Sequence, residues 1–158
     1  MDNKIIQAII DGRISAYVSK TPGYNPYIRA DDYDWYFEKS YGIYIFKDSY
    51  RGFNPYSGIE TVCMNDNGKP VWTCDYVGYV HKNAGVNVSD VYGFLKESRG
   101  KHLKECKNDL FSDFEYHKEQ FSYKLVFEVH ENSILEKADI FYNGKLISQH
   151  IASGILKL

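Results

Sequence analysis

Two carboxylates, Glu60 and Asp75, flank the dipeptide Asn67-Gly68 at equal distances. Asn-Gly is the strongest short signal for a type I′ hairpin, because both central residues of that turn need positive φ. A two-residue turn there sets Asp66 opposite Lys69, Cys63 opposite Trp72, Thr61 opposite Cys74 and Glu60 opposite Asp75. The Asp66–Lys69 pairing is electrostatically favourable and supports this register. Glu60 facing Asp75 is unfavourable unless a cation, a shared proton or an arginine such as Arg51 lies between them. Paired carboxylates with separated pKa values are the raw material of general acid–base catalysis, so one expectation is a hydrolase using Glu60 and Asp75. The plainer reading, a slipped register or two solvent-facing carboxylates at a sheet edge, weighs more.

A second constellation is aromatic. Tyr24, Tyr27, Arg29, Trp35 and Tyr36 crowd into one loop and its flank, followed by Tyr44, Tyr50 and Arg51. The chain has four arginines, and two of them lie here beside aromatic rings. A guanidinium is a planar fork for phosphate or carboxylate, and aromatic faces stack on flat rings. The leading expectation is a non-enzymatic domain that binds or sequesters a small, anionic, ring-containing, nucleotide-like molecule. Its expected contacts are Arg29, Tyr36, Tyr50, Arg51, Trp72 and Tyr76, the arginines holding charge and the aromatics stacking. Against this, Tyr24 and Tyr27 can simply pin the loop while Trp35 fills the core.

Other chemistry finds less support. Cys74 with His81, or Cys106 with His102, pairs a thiol with an imidazole, yet no local pattern resembles a cysteine-hydrolase elbow. Cys63 and Cys74 fall on one face of the hairpin with Trp72, Ile59 and Tyr76 and read as core, where free cysteine commonly resides. His81, His102, His117, His130 and His150 lack zinc spacing, so no metal site is expected. No glycine-rich phosphate loop follows a strand, and no cofactor is expected.

Bulk properties narrow the classes further. A chain of 158 residues suits one domain, with enough core to fold without disulfide or metal. Net charge −2 without a basic run argues against nucleic-acid binding, since duplex affinity needs many neutralised phosphates. No apolar stretch approaches bilayer-spanning length, and the N-terminus lacks a signal-peptide pattern. Three cysteines, Cys63, Cys74 and Cys106, form no C-x-x-C pair and fit reduced thiols in a cytoplasmic setting. The 15 tyrosines among 16% aromatic residues suit half-exposed sheets and binding surfaces, where a ring packs and a hydroxyl finds a partner. An exposed Tyr-rich face makes a protein-interaction inhibitor module a further alternative, and a homo-oligomer is compatible with every reading, since exposed tyrosines and a free sheet edge readily make symmetric interfaces.

The elements that must position these residues follow from periodicity. Asp2 can cap a helix carrying Ile5, Ile6, Ile9 and Ile10 on one face, ended by Asp11-Gly12. Residues 19–32, with Pro22-Gly23 and Asn25-Pro26, read as an irregular loop. Strand-like segments follow from about residue 33, with a turn region from Gly52 to Gly58. Ser89 can cap a second helix, which Gly93 and Gly100 make short or broken. The stretch from Asp109 to Glu119 is polar and carries no clear element. A three-stranded meander closes the chain, with turns at Asn132-Ser133 and Asn143-Gly144; the first sets Glu128 opposite Lys137 and Tyr123 opposite Tyr142. The expected fold is α+β: a curved antiparallel sheet of hairpins with a C-terminal three-stranded meander, packed with two short helices. Its pocket should lie between the sheet and the helices or long loop.

Several short blocks carry a family resemblance: Asp48-Ser49-Tyr50, Gly58-Ile59-Glu60-Thr61-Val62, Gly68-Lys69-Pro70-Val71-Trp72, Asp75-Tyr76-Val77-Gly78, Phe94-Leu95-Lys96-Glu97 and Tyr142-Asn143-Gly144-Lys145. Over roughly residues 27–158 the chain resembles an uncharacterised bacterial domain of unknown function that often follows an XRE-type helix-turn-helix module. None of these blocks is a catalytic signature. Where the family pattern has a Trp-x-Met-Asn-Tyr-like strand, this chain has Trp72-Thr73-Cys74-Asp75-Tyr76, so a carboxylate at position 75 is particular to it. The DNA-binding module is not in this sequence, which argues against a free-standing regulator. The resemblance implies a sensor-type ligand-binding role, and a stand-alone copy is expected to act by sequestration, as a phage or mobile-element protein does against host signalling nucleotides.

Overall fold

A computed structural model of the chain describes residues 3–157, so the expected Asp2 cap lies outside the described residues. Helix α1 (Asn3–Arg13) buries Ile5, Ile6, Ile9 and Ile10, as their spacing predicts. Asp11-Gly12 does not end it. A Cβ at Gly12 would fall inside the Phe46 ring, so glycine here permits close helix–sheet approach rather than termination. The chain continues from Arg13 into a π-helical segment, Ile14–Val18, and this extension carries Arg13 and Tyr17 over the sheet.

The strands are β1 (Ile28–Arg29), β2 (Trp35–Tyr41), β3 (Tyr44–Gly52), β4 (Tyr56–Met64) and β5 (Pro70–Val80), then, after α2 (Val88–Glu105), β6 (Phe114–Lys118), β7 (Phe121–His130), β8 (Ser133–Tyr142) and β9 (Lys145–Leu156). They form one nine-stranded antiparallel sheet in the order β1-β2-β3-β4-β5-β9-β8-β7-β6. The first five strands meander inward from the β1 edge to the middle of the sheet; α2 carries the chain to the opposite edge, and the last four meander back until β9 pairs with β5. The fold is α+β, as expected, with β6 added to the meander in the stretch that showed no clear element. Helix α2 runs unbroken for 18 residues behind Asn87, not Ser89, because the sheet beneath it outweighs two weak helix formers. Gly100 also lets the π-helical segment approach, since a Cβ there would press on Val18.

Two registers differ from expectation. Of the residues around Asn67-Gly68, only Gly68 takes positive φ, and the Gly68 N–H donates to the Met64 carbonyl. The loop thus consumes more residues than a type I′ turn, pairing Cys63 with Pro70, and a bulge between Val62 and Cys63 shifts the register again. The result pairs Val62 with Trp72, Thr61 with Thr73, Glu60 with Cys74 and Ile59 with Asp75. A one-residue slip sends a side chain to the other face of the sheet. Glu60 is therefore buried beneath the helices while Asp75 is exposed on the far face, and the expected Glu60–Asp75 pair does not form. In the C-terminal meander Tyr123 pairs with Ile140 and Val126 with Lys137, a two-residue offset that leaves the faces unchanged. The Asn143-Gly144 turn is as expected, with positive φ at both residues.

Both helices lie on one face of the sheet, and buried residues alternate along the strands to meet them. Apolar contact is split into two clusters. One joins α1 to β2–β5 and the ends of β8 and β9; the other joins α2 to β7–β9. Between them the buried face is lined with polar side chains.

Candidate functional site

Arg13, brought in by the extended α1, reaches two strands far apart in sequence. Its Nε donates to Glu60 Oε2 at 3.0 Å, and its Nη1 donates to Glu136 Oε2 at 3.3 Å. Arg99 of α2 donates from Nη2 to the other Glu136 oxygen at 3.1 Å. Trp72 Nε1 donates to Glu60 Oε1 at 2.7 Å. Burial alone would raise the Glu136 carboxyl, but the two guanidinium groups hold it down at about 2. Burial would lower Arg13, and the carboxylates of Glu60 and Glu136 raise it instead. Two guanidinium groups and two carboxylates thus neutralise one another under the helices, as buried charges must.

His150 stands beside this group, with Nδ1 2.9 Å from the Tyr56 hydroxyl and its ring stacked on Tyr76. Burial and the nearby Arg99 push its pKa well below the usual imidazole range, so it is neutral. His102 of α2 is likewise lowered, to about 4, by burial. Burial pushes the Cys74 and Cys106 thiols upward, away from the thiolate that a nucleophile requires.

A third buried carboxylate, Asp48 on β3, has a different environment. Tyr76 donates to one of its oxygens at 2.7 Å and Tyr27 to the other at 2.5 Å. Burial raises its pKa to about 6 despite those two donors. Among the described residues no cation lies within ion-pairing distance of it. Tyr27 in turn meets the Tyr50 ring edge-on, 5.0 Å between centroids.

All of these groups except Trp72 and Cys106 line one cavity of about 490 Å³ between the sheet and the two helical segments, within the range of small-molecule pockets. Its exposed lining residues mark the mouth: Thr21, Pro22, Gly52, Phe53, Ser89 and Gly93. Lys20 and Lys96 also line it. Lys20 Nζ donates to the Tyr50 hydroxyl, and Lys96 donates to the Lys20 carbonyl. Three side chains lining the cavity have a buried polar atom with no hydrogen-bond partner among the described residues: Arg99 Nε, His102 Nε2 and the Tyr123 hydroxyl.

The residues expected to bind a ligand are distributed unevenly about this site. Tyr50 and Tyr76 line the cavity. Trp72 is fully buried in the core, with its indole on Phe111 and its N–H on Glu60. Arg29 is exposed at the edge, its guanidinium over the Trp35 ring, and Tyr36 hydrogen-bonds Glu38 at the surface. Arg51 is exposed over the Tyr33 ring. Of the six, the cavity therefore gathers only Tyr50 and Tyr76, with Trp72 in the core behind it and Arg29, Tyr36 and Arg51 at the surface. The arginines that reach the cavity are the remaining two, Arg13 and Arg99. Arg13 directly follows the Asp11-Gly12 dipeptide that reads as a stop, and Arg99 sits in a helix with a weak apolar pattern. A signal was present in Glu136, a carboxylate on the same face of its strand as Ile134, Ala138 and Ile140; such an inward charge requires partners.

No curated protein and no solved structure matches the chain. A family model does match, over residues 48–156, from Asp48 on β3 to the end of β9. That span contains Asp48, Glu60, Tyr76, Arg99, His102, Tyr123, Glu136 and His150, whereas Arg13, Tyr17 and Tyr27 precede it. The chain belongs to the DUF5680 family, a domain of unknown function.

Proposed function

We propose that the protein is a non-enzymatic binding domain that holds a small, ring-containing anionic molecule, nucleotide-like in character, in the cavity between sheet and helices. The observation that carries this reading is the set of three unpartnered buried atoms on Arg99, His102 and Tyr123. A buried polar group left without a partner costs about 1–3 kcal/mol, and three on residues lining one cavity, two from α2 and one from β7, favour a ligand that supplies oxygens or nitrogens to them. The tyrosine rings supply flat apolar faces, and the lysines supply positive charge near the mouth. With Arg13 and Arg99 already balanced by Glu60 and Glu136, an anionic group belongs with Lys20 and Lys96. The hydrolase expectation rested on a Glu60–Asp75 pair that the register does not form, so it is not carried forward.

The test is denaturing mass spectrometry on protein purified gently from cells, paired with native spectra of the same sample. An intact small molecule released on heating, and lost from Arg99→Lys or Tyr123→Phe protein, is the expected result. Absence of any released species, before and after incubation with a metabolite pool, overturns the reading. A second reading then gains ground from the outer face, where the cross-strand pair Val77–Ile151 is exposed near Leu135 and Ile155. Exposed apolar side chains interleaved with Asp75, Lys137 and Ser153 on one sheet face suit a protein partner.

A further inference from the structure

Asp48 is set apart from the other buried carboxylates by what it still has to give. An ionised carboxylate offers about four lone-pair sites. Glu60 accepts from Trp72 and Arg13, and Glu136 accepts from Arg13 and Arg99, so both are neutralised by a direct guanidinium contact. Asp48 accepts one phenolic hydroxyl on each oxygen, which fixes its plane and leaves one site free on each. It lines the cavity, and it is about as buried as Glu60, with 7% and 6% of each residue exposed. Tyr27 and Tyr76 are both held protonated by burial next to the carboxylate, so they remain hydrogen-bond donors to it.

We propose that Asp48 is the specificity residue of the cavity and accepts a pair of adjacent N–H donors from the edge of a planar heterocycle, selecting rings of the 2-amino-lactam type. This assignment rests on the cavity being the binding site and adds the identity of the ring edge. The two free acceptor sites lie on one carboxylate whose plane the tyrosines hold, the arrangement a bidentate donor edge requires. The Tyr50 and Tyr76 rings line the same cavity, Tyr50 edge-on to Tyr27 and Tyr76 with one face on His150. Lys20, donating to the Tyr50 hydroxyl, places positive charge on the side of this cluster where the ligand's anionic group would sit. A lone-pair edge, by contrast, would meet the carboxylate with repulsion and leave it buried without a counter-charge.

Calorimetric titration of the full chain with guanosine, inosine and adenosine 5′-monophosphates tests the assignment. The three share ribose and phosphate; the first presents two adjacent donors, the second one, and the third an acceptor beside its amine. Guanosine monophosphate should bind about ten- to hundred-fold more tightly than adenosine monophosphate, with inosine monophosphate between them. Asp48→Asn should remove most of that preference, with melting temperature verifying that the variant is folded. If adenosine monophosphate binds as tightly as guanosine monophosphate to the wild-type chain, the Asp48 assignment is wrong and the binding cavity stands. If none of the three binds at millimolar concentration, the assignment falls; the cavity reading then stands or falls on the molecule released from cell-purified protein.

Discussion

The Arg13 guanidinium joins Glu60 and Glu136, residues on β4 and β8 that no backbone hydrogen bond connects. Strands β5 and β9 lie between them in the sheet, so a single side chain from α1 spans the middle of the buried face. Both carboxylates depend on it, and Glu136 depends on Arg99 as well. The same contact positions the polar floor of the cavity and ties the N-terminal helix to the family-matched part of the chain.

Arg13→Ala should therefore be among the most damaging substitutions in the protein. It leaves the buried Glu60 without a counter-charge and Glu136 with Arg99 alone, and removing one partner of a buried ion pair typically costs about 3–5 kcal/mol. Urea denaturation monitored by tryptophan fluorescence should show that loss, with Arg13→Lys recovering only part of it because an ammonium cannot reproduce the fork. A change under 1 kcal/mol would mean that the carboxylates are not relying on this arginine.

Tyr123→Phe should trade affinity for stability. The hydroxyl is fully buried and unpartnered, so deleting it removes a desolvation penalty of about 1–3 kcal/mol while the ring keeps its packing. The variant should melt at or above the wild-type temperature yet bind ligand more weakly. A lower melting temperature would show that the hydroxyl has a structural partner.

Asp48 should give a pH signature of unusual sign for a carboxylate. Its pKa is about 3.8 ordinarily and about 6 in the folded chain, where it faces Tyr27, Tyr76, Glu60 and, farther off, Arg13. Between those values the folded state keeps a proton that the unfolded chain has released, so stability falls as pH rises from about 4 to 6. His102 works in the opposite direction, since its folded pKa lies below 6.5 and its contribution disappears as pH drops toward 4. The difference between Asp48→Asn and wild type isolates the aspartate. That difference should shift in favour of the variant by roughly 2–3 kcal/mol between pH 4 and pH 7. A difference that stays flat across this range would show that the aspartate is ionised in the fold without penalty.

Two glycines should respond in opposite ways to alanine. At Gly12 the new methyl collides with the Phe46 ring, and overpacking of this kind costs about 1–3 kcal/mol or more. At Gly93, inside α2, a methyl meets nothing within 4 Å, so the gain in helix propensity should stabilise by about 0.5–1 kcal/mol. Thermal melts of the two variants, moving apart from wild type, would verify the packing of both helical segments. Equal shifts would contradict it.

Local chemistry determined much of this protein. The isoleucine spacing of α1, the alternation of β7 to β9 and the Asn143-Gly144 turn are short-range signals, and each element formed where its own residues direct it. Tyr50 and Tyr76 were legible as cavity-lining residues because aromatic side chains on strands suit a cavity wall. What only the tertiary structure decided was register and continuation. One longer loop at Gly68 and one bulge at Val62 turned Asp75 away from Glu60, because neighbouring side chains on a strand point to opposite faces. Gly12 became a contact with Phe46 instead of a helix stop, which delivered Arg13 to carboxylates 47 and 123 residues away. Such pairings depend on which faces meet, and that is settled by burial across the whole sheet rather than by any residue's neighbours in the chain.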